Sequence, residues 1–451
     1  MLKRILISVL VFIVIFLSVE SSKAQLSQDF DDTLSTTLES YYNSLNIKGV
    51  SAAVFFPDGS IWSDAHGSNG SEDLTVDHLY EMGSNTKTMV AAVLLQIQEE
   101  GKLDLDDTLY SYIPVNENIP YGITIKQCLN HTSGLYDYTT DPGFGLMVNT
   151  NPTRFIQPQE ILDDFVKEPE FEAGTDWSYC NTNFIVLGLV IEAIENKEFH
   201  ESFRDRFLDP MGLEHTYLDE YESYTEKRAY SWLNNGNLLD IQFTSFLSAA
   251  WAAGAIIATP ADLAEWAFYL YSGRLLEESS MDEMESLVRV GGTTYPYGLG
   301  MFRSIHRGRV YHGHGGTTLQ NSTMNYSLES GFSIVVNVPE QDTYQEVNDI
   351  EKALIDIIES EIDNFNYWPL GIEDKSELDL FVYPNPVSDK LNIEVGREFN
   401  DELSLRLFSA SGQLMHNATY TGNSIDVSML SPGIYILELA NQSSGLIMHQ
   451  K

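Results

Sequence analysis

The stretch YEMGSNTKTMVAAVLLQIQEEGKL, residues 80–103, predicts the central helix of this fold. Its apolar residues from Val90 to Ile97 recur three and four positions apart, which places them on one face of an α-helix. Gly101 follows the last apolar turn, at the position where a left-handed residue commonly ends a helix. We therefore expect a buried helix that starts near Ser84.

Ser84 and Lys87 lie one turn apart at the start of this helix and therefore on the same side. In one interpretation the serine caps the helix and the lysine extends its ammonium group into solvent. In the other, burial lowers the pKa of the lysine, and its neutral amine accepts the proton of the serine hydroxyl. The spacing alone is weak evidence, so other motifs have to decide between the two.

Strand patterns lie on both sides of this helix along the chain. We expect a polar helix at about residues 29–45, followed by two strands joined by a Pro-Asp-Gly turn at 57–59. Segments 297–316 and 323–340 predict three antiparallel strands, and an amphipathic helix follows at about 345–362. This order predicts an α+β fold, in which an antiparallel sheet is closed by both ends of the domain, flanked by helices and interrupted by a helical subdomain.

Composition divides the chain into four segments. Residues 1–24 combine two basic residues, a short apolar run and small residues, which is the layout of a secretory signal peptide. We assign residues 25–368 to the main domain, 369–379 to an acidic linker and 380–451 to a small C-terminal β-sandwich. No later run is long and apolar enough to span a bilayer, so we expect no transmembrane segment in the mature chain.

The charge balance excludes some partners. The chain has 25 Lys and Arg residues against 66 Asp and Glu residues, a formal net charge of -41, which repels nucleic acids and anionic membranes.

The only cysteines are Cys128 and Cys180, which we expect to be buried free thiols. A disulfide bridge stays open as an alternative, since it requires Cα atoms within about 7 Å.

Two further motifs follow Ser84 along the chain. The segment WSYCNTNF contains Tyr179-x-Asn181, and VYHGHGG contains His314-x-Gly316. Neither motif is rare by itself, and the evidence lies in their order and in the segments around them.

Together the three motifs resemble the serine penicillin-recognising superfamily, and within it the branch of class C β-lactamases and serine DD-carboxypeptidases. The segments LNHTSGLYDYT and WAAGAIIATPADLAEWAFYLYSGRLL are also similar to that branch, and the resemblance extends over about residues 47–354. It implies a β-lactamase/transpeptidase-like fold and a serine hydrolase that needs no cofactor.

The resemblance also implies a role for each motif residue. Ser84 would be the acylated nucleophile and Lys87 its proton partner. Tyr179 would be a second acid or base, its phenol tuned by Lys87 and His314 so that it passes a proton to the leaving group. Asn181 would donate a hydrogen bond to the amide carbonyl of the substrate.

Further residues complete the predicted site. The backbone N–H groups of Ser84 and Thr317 would form the oxyanion hole, beside Gly316 on the strand that binds substrate. His312 and His314 alternate along one strand and so share a face, which also suggests a metal pair. We disfavour that reading, because no nearby cluster of His, Asp or Glu supplies the remaining ligands.

Two departures from the family pattern concern the substrate. Carboxypeptidases of this branch often have a threonine where this chain has Gly315, and it helps to bind the substrate carboxylate. They also use an arginine on the preceding strand, for which Arg303 is the nearest candidate. These departures weaken the case for recognition of a free C-terminal carboxylate and are compatible with an esterase or an amidase for neutral substrates.

The C-terminal segment resembles the sorting domain of the type IX secretion system of Bacteroidetes. The resemblance rests on YPNP at 383–386, LFSASG at 407–412 and LSPGIY at 430–435. It implies export through the periplasm to the cell surface or the medium, with the type IX machinery as partner. The alternative is a carbohydrate-binding or spacer sandwich.

The functional prediction is an exported serine hydrolase that forms an acyl-enzyme on Ser84. We expect a DD-carboxypeptidase-like enzyme that acts on D-Ala-containing peptides. An esterase or a β-lactamase of the same family is the alternative, so the substrate is a small peptide, amide, ester or β-lactam. A catalytically idle surface-binding protein is the alternative from another class.

Overall fold

The structure is a computed structural model. It describes residues 28–114, 117–233, 236, 238–239 and 243–365, together with the backbone of seven strands between 380 and 449. The predicted signal peptide and the acidic linker lie outside the described residues. The chain divides into two compact units, one of which is Gln25–Tyr367, while the other contains Trp368–Lys451.

The helices lie in the first unit. They are α1 (Gln28–Leu45), α2 (Thr86–Glu99), α3 (Ile125–Leu129), α4 (Pro142–Thr150), α5 (Pro158–Asp164), α6 (Thr182–Glu195), α7 (Phe199–Phe203), α8 (Asp209–Met211), α9 (Thr244–Gly254), α10 (Pro260–Tyr271), α11 (Glu278–Glu285) and α12 (Tyr344–Phe365). Short 3-10 turns occur at Gly83–Asn85, Leu109–Ser111 and Tyr138–Thr140, and a π-helical turn occurs at Arg204–Leu208.

The strands of the first unit are β1 (Gly49–Phe55), β2 (Ile61–Asn69), β3 (Glu72–Asp73), β4 (Tyr80–Glu81), β5 (Thr216–Leu218), β6 (Ser231–Trp232), β7 (Leu238–Leu239), β8 (Ile256–Ala258), β9 (Arg289–Val290), β10 (Thr293–Thr294), β11 (Phe302–His306), β12 (Arg309–Thr317), β13 (Asn321–Ser327) and β14 (Ser333–Val338). Those of the C-terminal unit are β15 (Leu380–Tyr383), β16 (Lys390–Val395), β17 (Leu403–Ser409), β18 (Leu414–Tyr420), β19 (Asn423–Asp426), β20 (Tyr435–Asn441) and β21 (Ile447–His449).

An antiparallel seven-stranded sheet, in the order β11-β12-β13-β14-β1-β2-β3, forms the centre of the first unit. Strand β1 from the start of the domain pairs with β14 from its end, with Ser51 opposite Asn337. All residues of both strands are buried, because α1 and α12 cover one face of the sheet and α10 covers the other. The prediction of an α+β sheet closed by both ends of the domain is confirmed.

The prediction of three late strands is wrong, because the structure has four. Strands β11 and β12 form a hairpin through Arg307 and Gly308, both with positive φ (49° and 86°), and β13 and β14 form a second hairpin. Paired left-handed residues match the twist of a tight hairpin, although Arg-Gly lacks the usual Asn-Gly signal. The β11–β12 pairing ends at Phe302 and Gly313, so β11 does not extend beside the last four residues of β12.

Helix α2 is buried as predicted and ends at Glu99, shortly before Gly101, whose φ is 68°. It begins at Thr86, after the 3-10 turn that contains Ser84, and no side chain caps either element at its start. Lys87 is completely buried and does not extend into solvent. Both halves of the capping interpretation are therefore wrong.

Cys128 and Cys180 are buried free thiols, as expected. Within the residues that the structure describes, no helix has the length and apolar character needed to cross a membrane.

The C-terminal unit contains two antiparallel sheets, in the orders β15-β16-β19 and β18-β17-β20-β21, in agreement with its predicted β structure.

We expect deletion of residues 380–451 to leave the fold of the first unit intact, because the complete seven-stranded sheet lies within Gln25–Tyr367. Thermal unfolding followed by circular dichroism should show an unchanged main transition. A deletion that also removes α12 should lower the transition strongly, because it uncovers the buried strands β13 and β14. Loss of the main transition in the shorter deletion would contradict the division into units.

Candidate active site

A close contact between the turn before α2 and strand β12 positions Ser84. Gly83 has a φ of 52°, and a Cβ atom on it would lie 2.8 Å from the Thr317 nitrogen. A Cβ atom on Gly316 would lie 2.0 Å from the Met82 oxygen. Only glycines permit this approach, which brings Ser84 beside the end of β12.

Lys87 makes three hydrogen bonds through its buried Nζ atom. The distances are 3.0 Å to Ser84 Oγ, 2.9 Å to Asn181 Oδ1 and 2.6 Å to the Ala253 carbonyl oxygen. The two carbonyl oxygens can only accept, so they take two protons of the amine. When the amine is neutral, its lone pair is left for the Ser84 hydroxyl.

The Ala253 carbonyl lies at the end of α9, beyond a kink at Trp251 (φ 36°), where helix carbonyls have no partner within the helix and this one accepts from Lys87. The segment after α9 is tied to α2, since the Ile256 N–H donates to Thr86 Oγ1 at 3.1 Å. This bond holds the end of α9 against the start of α2. The acceptor for Lys87 is thus a fixed backbone group.

Burial lowers the pKa of Lys87 to about 7, and the negative charge of Asp137 opposes this shift. The amine also faces two aromatic rings, with 5.0 Å to the ring centre of Tyr179 and 5.3 Å to that of Phe184. Ring faces favour the ammonium form, but they do not outweigh the loss of water. Lys87 is therefore able to exchange a proton near neutral pH.

Asp137 orients Asn181, and motif analysis did not find it. Asn181 Nδ2 donates to Asp137 Oδ2 at 3.1 Å, which turns Asn181 Oδ1 toward Lys87. The aspartate is held in turn by the backbone N–H and hydroxyl of Thr139, at 3.0 and 2.9 Å. Its only sequence signal is that it follows the HTSG segment closely.

The Tyr179 hydroxyl is buried and meets no hydrogen-bond partner within the described ranges. Burial raises the pKa of Tyr179, and the nearby Ser84 hydroxyl opposes the rise. The phenol therefore stays protonated at neutral pH. The expectation that Lys87 and His314 tune this phenol stays a prediction, and the direction of the pKa shift favours an acid over a base.

His314 lies near Tyr179, with 6.0 Å between ring centres, but its hydrogen bonds go elsewhere. Its Nδ1 atom lies 2.6 Å from the Gly315 carbonyl oxygen and its Nε2 atom 3.3 Å from the Tyr297 hydroxyl. Burial, reinforced by the charge of Lys87, lowers the pKa of His314 to about 3. His314 is thus neutral, with its proton on Nδ1.

Tyr297 connects His314 to His131, and the predicted site contained neither Tyr297 nor His131. The Tyr297 hydroxyl lies 3.1 Å from His131 Nε2. His131 Nδ1 accepts from the Cys180 backbone N–H at 3.1 Å, so the proton of His131 is on Nε2 and is donated to Tyr297. Tyr297 can then donate only to His314. This chain of hydrogen bonds, from His131 through Tyr297 to His314, is the histidine relay.

A cavity of about 760 Å³ opens in front of Ser84. The predicted site residues that line it are Ser84, Tyr179, Asn181, Arg303, His314 and Thr317. Lys87 lies beneath the cavity floor with its amine on Ser84, and Gly316 packs against the turn before α2. The structure thus brings all of the predicted residues to one place.

The metal alternative has no support in the geometry. Among the described residues, no group of three or more His, Cys, Asp or Glu side chains could hold a metal ion. His312 faces Glu285 at 3.3 Å instead, away from the cavity.

The fold and the site together define a β-lactamase-type serine hydrolase, with a lysine-paired serine at the start of a central helix. Comparison of sequences agrees, because residues 30–356 match the model of the Beta-lactamase family. The chain belongs to that family. Residues 381–450 match the Secretion system C-terminal sorting domain, which agrees with the type IX resemblance.

Similar curated proteins are named for different functions. A putative penicillin-binding protein PbpX of Bacillus subtilis is 25% identical over 49% of this chain and 53% of that protein. A teichoic acid D-alanine hydrolase of Staphylococcus aureus is 27% identical over 42% of this chain and 45% of that protein. The chain thus matches about half the length of these relatives.

Among solved structures, a D-stereospecific amidohydrolase from Streptomyces sp. is 31% identical, with a TM-score of 0.62, over 70% of this chain and 97% of that one. The D-amino acid amidase of Ochrobactrum anthropi SV3 has the same fold, with a TM-score of 0.64 and 22% identity over 74% of this chain and 99% of that one.

We expect Tyr297→Phe to destabilise the protein by about 1–3 kcal/mol, because it leaves buried nitrogens of His131 and His314 without a partner. It should also slow acylation of Ser84, because the orientation of His314 is released. Urea unfolding and the rate of labelling by a fluorescent penicillin measure the two effects.

Tyr271→Phe is the matched control, because the Tyr271 hydroxyl is equally buried but meets no partner in the described part of the chain. It should leave both quantities unchanged. Equal effects of the two variants would show that the histidine relay contributes nothing specific.

Proposed function

We propose that this protein is an exported serine hydrolase that forms an acyl-enzyme on Ser84 and cleaves D-Ala-containing peptides in the manner of a DD-carboxypeptidase. The observation that carries the proposal is the buried Lys87 amine, held at 3.0 Å from Ser84 Oγ with its other protons directed to carbonyl oxygens. A lysine with a purely structural role would not need to contact the hydroxyl of a serine that lines a cavity.

Acylation begins when neutral Lys87 takes the proton of the Ser84 hydroxyl as its oxygen attacks the substrate carbonyl carbon. A Ser84 Oγ–C bond forms and the carbonyl π pair moves to oxygen. The backbone N–H groups of Ser84 and Thr317 are the proposed donors to this oxyanion. One such donor typically contributes on the order of 100-fold or more in rate.

Collapse of the tetrahedral intermediate breaks the C–N bond. The leaving nitrogen takes a proton from the Tyr179 phenol, and the adjacent Lys87 ammonium then gives its extra proton to the phenolate. A water molecule then attacks the ester carbon and gives its proton to Lys87, which returns it to Ser84 as the acid is released. Each proton removed is replaced, so the enzyme ends as it began.

The D-Ala preference rests on the relatives and on Arg303. Several relatives are named for penicillin binding or for hydrolysis of D-alanine or D-amino acid bonds. The Arg303 side chain lines the cavity and makes no ion pair or hydrogen bond with the described residues, so its guanidinium is available to a carboxylate. Arg303 can therefore provide the cation for a substrate carboxylate. The differences from the family pattern at Gly315 and Arg303 had put that cation in doubt.

An esterase or β-lactamase is the second candidate. It is favoured by Gly315, which offers no hydroxyl to a substrate carboxylate. The lifetime of the acyl-enzyme separates the candidates: a stable penicilloyl adduct on Ser84 indicates a peptidase and rapid turnover a β-lactamase. An idle surface-binding protein would give no adduct at all.

Export is proposed from the two ends of the chain. The signal-peptide layout of residues 1–24 supports passage into the periplasm, and the sorting domain at 381–450 supports transfer onward by the type IX machinery. The enzyme would then act at the cell surface or in the medium.

Ser84→Ala should abolish labelling by penicillin, because it removes the proposed nucleophile. Lys87→Ala should slow acylation by several orders of magnitude, because the serine loses its base. Stopped-flow acylation kinetics with intact mass spectrometry measure both. Normal acylation in Lys87→Ala would remove the proton-transfer role.

The wild-type acylation rate should rise between about pH 6 and 8 and then level off. The pKa of Lys87 is lowered to about 7, so the neutral base is scarce below that pH and dominant above it. A rate that is flat across this range would contradict Lys87 as the base.

The substrate class is tested by a panel of D-Ala-D-Ala peptides, D-amino acid amides, cephalosporins and short acyl esters. We expect the highest kcat/KM for the D-Ala-D-Ala peptides, and Arg303→Ala should lower it mainly through KM. A higher kcat/KM for the esters or cephalosporins would replace the peptidase assignment with the second candidate.

A further inference from the structure

The cavity in front of Ser84 continues past the open edge of β12 to the sheet face that α12 covers. Gly315 permits this passage, since a Cβ atom there would have only the Ser322 oxygen at 3.6 Å and the Tyr344 ring at 4.0 Å within reach. Beyond it lies a part of the cavity that we call the α12 lobe. Its residues are Gly315, Thr323, Asn325, Tyr344, Glu351 and Lys352.

Glu351 is the charged group of the α12 lobe that is turned inward. Its residue is only 3% exposed, and among the described residues its carboxyl has one hydrogen bond, from Asn325 Nδ2 to Oε1 at 2.9 Å. Thr323, two residues from Asn325 on β13 and so on the same face, has a buried hydroxyl that meets no partner in hydrogen-bond geometry in the described part. Lys352 on the next position of α12 is exposed.

Glu359, two turns later on α12, shows what a structural buried carboxylate looks like in this protein. It accepts from the hydroxyls of Tyr311, Ser327 and Ser330 and forms an ion pair with Arg309. Burial of a charge is costly unless such partners compensate for it. Glu351 lacks that compensation, and burial raises its pKa to about 7 despite Asn325 and Thr323. Glu351 also lines the cavity that opens in front of Ser84.

We propose that the α12 lobe is a subsite for a primary ammonium group carried by the leaving group of the substrate, and that Glu351 recognises it. An ammonium has three donors, which the carboxylate and the Thr323 hydroxyl can accept. The leaving group occupies this side because Tyr179, the proposed acid, lies next to His314, and Gly315 follows His314 directly on β12. The inference rests on the proposed function and adds the substrate class to it.

Arg303 gives the same leaving group a second contact. It lines the same cavity from strand β11 and is available to a carboxylate. A D-amino acid with a side-chain amine would place its carboxylate at Arg303 and its ammonium at Glu351. A leaving group of that kind offers a partner to both charged groups, whereas D-alanine offers one only to Arg303.

The test compares two matched peptides, Nα-acetyl-D-alanyl-D-lysine and Nα-acetyl-D-alanyl-D-norleucine. The full-length enzyme should hydrolyse the lysine peptide with a kcat/KM about tenfold higher or more, as expected for a charge-assisted hydrogen bond in a buried site. Glu351→Gln, which keeps an acceptor for Asn325, should remove this preference and leave the norleucine peptide unaffected.

Two further variants guard against indirect effects. Glu346→Gln makes the same charge change on α12 outside the cavity and should keep the lysine preference. Gly315→Thr fills the passage to the α12 lobe and should lower kcat/KM for the lysine peptide more than for the norleucine peptide.

The outcomes separate this inference from the proposed function. Equal rates for the two peptides, or a lysine preference that survives Glu351→Gln, would overturn the ammonium subsite while Ser84 labelling and D-Ala hydrolysis stay intact. The same peptides without the Nα-acetyl group have a free ammonium on the D-alanyl residue. If the enzyme prefers these unblocked peptides and Glu351→Gln abolishes that preference, Glu351 binds the acyl part of the substrate, and the placement of the ammonium in the leaving group is overturned. Failure of both peptides, with no labelling of Ser84, would instead overturn the proposed function.

Discussion

The site depends on one buried amine. Lys87 has lost all contact with water, and the Ala253 carbonyl and Asn181 hold it at the Ser84 hydroxyl. Its pKa is lowered from 10.5 to about 7, so between these values the folded protein binds fewer protons at this site than the unfolded chain. The burial therefore opposes folding most strongly below pH 7, and this opposition fades as the pH rises toward 10.5. The same burial leaves the amine largely neutral above pH 7, as its proposed role as a base requires.

Much of this arrangement follows from local sequence patterns. Apolar periodicity was enough to predict α2 and its burial, and the family resemblance of three short motifs predicted that Ser84, Lys87 and Tyr179 share one site. The number of late strands was missed, because Arg307-Gly308 makes a tight turn without the usual turn residues. The sequence did not predict the histidine relay, because His131 and Tyr297 are 166 positions apart and neither residue type is unusual in a protein core. Such contacts arise from packing, which periodicity does not contain.

Neutrality of His314 sets the charge balance of the cavity. Both ring nitrogens of His314 form hydrogen bonds, one with the Gly315 carbonyl and one with the Tyr297 hydroxyl. Burial and the charge of the adjacent Lys87 lower the pKa of His314, so the ring does not become a second buried cation. Consequently no fixed positive charge beyond Lys87 draws the proton from Tyr179, and the phenol stays an acid. Arg303, the residue that we propose binds a substrate carboxylate, is instead exposed to solvent at the cavity, where the charged form is well hydrated.

The partner of Lys87 in α9 is a backbone carbonyl, and this shapes how the site can change. Replacement of the Ala253 side chain leaves the oxygen in place, so neither alanine scanning nor residue-by-residue comparison will register its importance. A change in the length of the segment from the Trp251 kink to Ile256 would register it at once, because an inserted residue displaces the backbone that carries this oxygen. In this region of the chain, divergence of function is therefore to be sought in insertions and deletions rather than in substitutions.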